Sequence, residues 1–232
     1  MANITNSALA LNRSAALRHA KGFSLVEMMC VIAVISLIAS MTWPSLVGIV
    51  SGNRLTNNAY ELSGLIQQAR AAALNEHTYV WVGFSSTTQN GLPSLVVASV
   101  MSNSGLATDP QTGGMANYQS VFKPVILKGA TLATAANYAA LPGLDVPDNT
   151  DAGSQTYFFQ MSTLGITNAK FTDVIVFGPD GQAYLPTSSG ALSSAPVQCV
   201  GVGFNSAPAS ANLHTVAIQV RGLSGQVSVF QQ

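Results

Sequence analysis

Between Met28 and Asn53 the chain contains no Asp, Glu, Lys or Arg. Its middle reads MMCVIAVISLIASMTW, and with its flanks it reaches the ~20 apolar residues that let a helix cross a bilayer. Upstream, Met1 to Gly22 carries Arg13, Arg18 and Lys21 and no acid. Positive charge on that flank holds the end in the cytoplasm and sends the rest of the chain outward.

The junction Lys21-Gly22-Phe23-Ser24-Leu25-Val26-Glu27 decides what kind of apolar segment this is. A secretory signal peptide places its apolar region directly after the basic one and ends at a small-x-small cleavage site. Here Glu27 stands at the edge of the apolar run, and Ile38-Ala39-Ser40 is the nearest approach to such a site. A plain membrane anchor accounts for the hydrophobicity and not for the acid, which has to snorkel or find a partner.

The segment Gly22 to Met29, GFSLVEMM, resembles the start of type IV pilins and pseudopilins, where Gly, an aromatic or Met, Ser/Thr, Leu, Val/Ile and Glu precede an apolar helix. The resemblance implies that a prepilin peptidase removes a leader, residues 1–22, by cutting between Gly22 and Phe23, and methylates the new amine of Phe23. It also implies assembly with other pilins or pseudopilins on an inner-membrane platform. Before assembly the product would sit in the bilayer as a single-pass protein, N-terminus cytoplasmic and outer domain periplasmic or extracellular. A carboxylate at the apolar boundary is stabilised by a nearby cation, and the freed amine of Phe23 on a neighbouring subunit supplies one. Glu27 is therefore expected to set filament register. Pro44 removes one backbone hydrogen bond from the continuing helical pattern and is the expected kink, with Gly48 and Gly52 weakening helix propensity beyond it.

Past Arg54 the pattern becomes one-sided. Leu55, Ala59, Leu62, Ile66, Ala69 and Ala73 recur at spacings of four and three, while Asn58, Glu61, Ser63, Gln67, Gln68 and Arg70 occupy the other face. This predicts one helix from about Phe23 to about Asn75, roughly 80 Å long. The expected organisation is a leader at 1–22, a transmembrane or filament-core helix at 23–53, an amphipathic stem at 54–77 and an outer β-rich domain at 78–232.

From Thr78 the pattern is strand-like. Strands are expected at Thr78 to Phe84, Ser94 to Met101, Ser120 to Leu127, Gln155 to Met161, Asp173 to Phe177, Gln182 to Leu185, His214 to Arg221 and Gln226 to Phe230. Gly178-Pro179-Asp180-Gly181 and Gly222-Leu-Ser-Gly225 are turn signals that close two hairpins. The fold class is α+β and pilin-like, a long N-terminal helix on an antiparallel sheet or sandwich. The two hairpins, VIVFGPDGQAYL and HTVAIQVRGLSGQVSVF, resemble the GspH/FimT-like branch of pseudopilins, with Gln226 standing where that branch often has Arg. Residues 85–154 match no known family, and their Ser-, Thr-, Asn- and Gly-rich linkers suggest long loops on the domain surface that meet a partner.

Chemistry is thinly supplied. With 48% hydrophobic and 8% charged residues and a net charge of zero, the chain is neither disordered nor a polyelectrolyte binder. Without the three basic residues of 1–22, six basic face nine acidic residues. The three histidines, His19, His77 and His214, form no metal-binding or catalytic motif. Gly201-Val-Gly203 reads as an ordinary turn, because Ser206 replaces the third glycine of a dinucleotide pattern. Asp145, Asp148 and Asp151 read as solvated loop acids, with calcium as the alternative. Cys30 reads as an apolar helix residue and Cys199 as a buried thiol. No cofactor, metal or catalytic residue is expected. The leading function is a minor pilin or pseudopilin of a type II secretion pseudopilus or type IV pilus. A membrane-anchored binding or enzymatic β domain and a DNA-uptake pilin are the alternatives. The DNA reading lacks a basic stripe, since Arg221 is the sole basic residue in the last sixty.

Overall fold

The structure is a computed structural model. It describes residues 23–109, 117–139, 141–145, 157–158, 170–187, 191–207 and 214–231, and at 42–52, 135 and 158 the backbone alone. The chain divides between Pro44 and Ser45 into two units. Helix α1, Leu25–Glu76, runs the predicted course.

In the first unit the described side chains of α1, from Leu25 to Met41, are all exposed. Among the described residues no helix is long and apolar enough to cross a membrane. The expected span continues through 42–52, whose side chains lie outside the described residues; the backbone there is helical across Pro44.

In the second unit the predicted apolar stripe is the centre of the core. Leu55, Ala59, Leu62, Ile66, Ala69 and Ala73 are all at most 1% exposed. The polar face departs from the expected pattern at three places: Ser63 is buried, and Asn58 and Arg70 are half-buried. The stem ends on His77, a non-glycine residue at φ 50, and the Thr78 amide donates to the Ala73 carbonyl at 3.2 Å. That six-residue closure satisfies a terminal carbonyl of the helix.

The β domain comprises β1 (Val80–Gln89), β2 (Leu92–Ser102), β3 (Tyr118–Lys128), β4 (Ala130–Ala133), a short helix α2 (Ala135–Tyr138), β5 (Tyr157–Phe158), β6 (Lys170–Phe171), β7 (Asp173–Phe177), β8 (Ala183–Tyr184), β9 (Cys199–Ser206), β10 (Thr215–Arg221) and β11 (Val227–Gln231). All described pairings are antiparallel. One sheet has the order β3-β2-β1-β7-β8, a second β11-β10-β9-β4, and β5 pairs with β6 apart from both. The core joins the stem to one face of each main sheet, through Val82, Phe84, Val97 and Ile175 of the first and Val202, Phe204 and Ile218 of the second. The opposite face of the five-stranded sheet buries Trp81, Val100 and Val176 with Tyr157 and Phe171 of the small hairpin.

Seven of the eight expected strands lie on described strands. The eighth, Gln155 to Met161, is described at Tyr157–Phe158 alone. Two expectations are corrected. The first hairpin does not break at Ser85: β1 and β2 pair out to Gln89 and Leu92 across Asn90-Gly91, both at positive φ. Asn-Gly suits a two-residue turn whose twist matches that of its strands, and the hydroxyl-rich Ser85 to Thr88 masked the strand leading into it. Second, Gly201-Val202-Gly203 is no turn but the middle of β9, between β10 and β4. Glycine is there because a Cβ at Gly203 would occupy the Tyr138 ring, and the Tyr138 hydroxyl donates to the Gly201 carbonyl at 3.0 Å. A strand that yields surface to a packed aromatic looks, in sequence, like a loop.

Candidate functional site

The N-terminal candidate residues sit at the start of α1. Gly22 lies outside the described residues. Phe23 is 74% exposed and precedes the helix. Ser24 caps it: the Glu27 amide donates to the Ser24 hydroxyl at 3.2 Å, and the Met28 amide to the Ser24 carbonyl at 3.2 Å. A serine before the first turn, with Glu three residues on, is the pairing that satisfies otherwise orphaned amides. It also puts an acid where the helix dipole is positive. Glu27 is exposed, flanked by the exposed Val26 and Met28. A carboxylate here is free to meet a cation from outside the chain. Sequence reading singled out Glu27 for its charge and overlooked Ser24, although the Ser-x-x-Glu spacing was visible.

The second constellation was not foreseen as one. Pro179, Asp180 and Gly181 form the expected β7–β8 turn, in which the Gly181 amide donates to the Gly178 carbonyl at 2.8 Å. Asp180 accepts from the Gln182 amide and from the Tyr184 hydroxyl, each at 3.0 Å. Burial, then the hydrogen bond and charge of Asp180, push the Tyr184 phenol up. The Gly222 to Gly225 turn joins β10 to β11 and lies beside the first, the Ala183 amide donating to the Gly222 carbonyl at 2.8 Å. Arg70 of the stem reaches both turns. Its Nε donates to the Gly181 carbonyl at 3.0 Å, and a Cβ on Gly225, whose φ is 63, would collide with its Nε and Cδ. Periodicity assigned Arg70 to the solvent face, and nothing in the local sequence marks its partner 111 residues away.

The remaining candidates separate. Asp145 pairs with Arg221 at 3.1 Å, and its carbonyl accepts from Gln219. Asp148 and Asp151 lie outside the described residues. Among the described residues no three His, Cys, Asp or Glu side chains are grouped to hold a metal. Cys30 is exposed and Cys199 buried, neither in a disulfide. Asp109 was missed: it is buried, and its carboxylate accepts from the Ser102 and Ser104 hydroxyls. It pins the loop after β2.

Residues 17–43 match the family model of the prokaryotic N-terminal methylation motif. No curated protein and no solved structure matches the chain. The motif covers the capped start of α1 and supports a type IV pilin-like precursor that a prepilin peptidase processes.

Proposed function

We propose that the mature protein is a minor pilin or pseudopilin: Gly22–Phe23 is cleaved, Phe23 is N-methylated, and the product enters a filament of a type II secretion or type IV pilus machine through α1. The observation that carries this reading is the methylation motif placed at the start of a helix whose described residues 25–41 are exposed. An apolar surface of that extent is unstable in water and calls for lipid or neighbouring helices. Residues 23–53 then pass from the bilayer into the filament core, 54–77 form the stem, and 78–232 form the outer domain beyond the inner membrane. The GspH/FimT-like assignment adds the two C-terminal hairpins as support. The work of such a subunit is assembly.

In this reading Glu27 pairs with the Phe23 amine of a neighbouring subunit and sets the axial register. Glu27→Ala should insert into the membrane normally and fail to enter filaments, measured by immunoblot of sheared filaments against membranes; normal incorporation rejects the pairing. The processing reading is tested by intact mass and N-terminal sequencing of protein from cells with their native prepilin peptidase. A start at N-methylated Phe23 is expected. An intact leader, or a cut beyond the apolar helix, overturns it.

A further inference from the structure

The two main sheets treat their outer edges differently. Strand β3 carries Lys123, Pro124 and Lys128, and its pairing with β2 shifts register around Ser99. Lysine, proline and a bulge on an edge all discourage addition of another strand. Strand β11 reads Val-Ser-Val-Phe-Gln, pairs with β10 in unbroken register and carries none of these devices. Among the described residues its other edge has no strand partner.

A groove of about 530 Å³ opens at the start of that edge, between Gln226 and Val227 on one side and Gln67, Arg70 and Leu74 of the stem on the other. Among the described residues no acidic side chain lines it. Arg70 is held by its Nε on the Gly181 carbonyl and lies against Gly225, while its Nη groups have no hydrogen-bond partner among the described residues. The groove therefore presents a positioned positive charge with donors to spare. A guanidinium fork of this kind suits a carboxylate.

Strand direction settles which carboxylate. β11 starts at the groove and runs away from it to Gln231, whose side-chain carbonyl accepts from Thr56 near the other end of the stem. A strand added parallel to β11 would begin at the groove and bring a free amine to Arg70. A strand added antiparallel ends there and brings a C-terminal carboxylate. Charge complementarity selects the second arrangement.

We propose that the β11 edge and the Arg70 groove together bind the extended C-terminal segment of a partner polypeptide. The last residues add as a fifth, antiparallel strand on the four-stranded sheet, and the terminal carboxylate sits on the Arg70 guanidinium. Backbone hydrogen bonds supply the affinity and the carboxylate supplies direction and register.

The test uses the full-length protein in detergent micelles and a mixture of N-terminally fluorescein-labelled hexapeptides randomised over Val, Thr, Ser and Gln, made with a free C-terminal acid or a C-terminal amide. Equilibrium dialysis should retain the acid mixture about tenfold more than the amide, the scale of one charge-assisted hydrogen bond. The bound acid mixture should also slow amide hydrogen exchange in Val227–Gln231. Arg70→Ala should erase the preference and Arg70→Lys should keep part of it. Equal retention of acid and amide, no retention of either, or a preference unchanged in Arg70→Ala overturns the proposal. The comparison of peptides on the unmodified protein stands even if Arg70→Ala fails to fold. Leader cleavage plays no part in the readout, so its outcome is separate from the processing test.

Discussion

Ser24 and His77 close the two ends of α1 by different local chemistries. The serine was legible, since a hydroxyl before the first turn with Glu at the third position is a start signal in any helix. The histidine was not, because stop signals favour Gly or Asn at a left-handed position and His77 takes φ 50 without either advantage. An ordinary residue in that region costs about 1–2 kcal/mol relative to right-handed backbone. His77→Gly should therefore raise unfolding free energy by ~0.5–1 kcal/mol, part of the relief being offset by glycine's greater unfolded-state freedom. Urea denaturation of the two proteins measures it. A lower midpoint in the variant would mean that the His77 ring contributes packing or hydrogen bonding that outweighs its backbone.

Among the elements, the stem was readable and β9 was not, and the reason is what each packs against. An isolated amphipathic helix already displays its period, so spacings of four and three identified six core residues that are all at most 1% exposed. β9 carries a glycine at 203 because Tyr138, on a different element, takes the space a side chain would fill, while the Tyr138 hydroxyl donates to the Gly201 carbonyl. Gly203→Ala should cost about 1–3 kcal/mol, the range of an overpacked core. Adding Tyr138→Ala should make the two changes strongly non-additive, the glycine substitution losing most of its penalty once the ring is gone. A double-mutant cycle by denaturation decides this. Additive losses would show that Gly203 matters for strand backbone alone. The same contrast governs the turns. Pro179, Asp180 and Gly181 were recognisable one hairpin at a time, whereas their meeting with Gly225 at Arg70 joins three elements far apart in sequence.

For the whole molecule, alkaline pH tests the packing between layers. Burial, and more weakly the charge of Asp173, push the Tyr138 phenol above its ordinary 10.0, and Tyr184 is raised beside Asp180. A raised phenol holds its proton more tightly when folded. Its stabilisation is complete below the unfolded value of about 10 and is lost as pH climbs through the folded values above it. Between pH 9 and pH 11 the native protein should therefore lose more stability than a Tyr138→Phe, Tyr184→Phe variant, read from urea midpoints at both pH values. Equal losses would remove these phenols from the account. At this scale the division between sequence and structure is physical. Helix period, alternating strands, Gly- and Pro-bearing turns and the GFSLVEMM junction act over a few residues, so the α+β class, the stem's buried face, seven strands and the methylation motif could be read directly. The sorting of strands into two main sheets, the ion pair of Asp145 with Arg221 and the seating of Arg70 on two distant turns each join residues whose separation along the chain carries no local signal. Those were decided only when the stem and both sheets buried their apolar faces against one another.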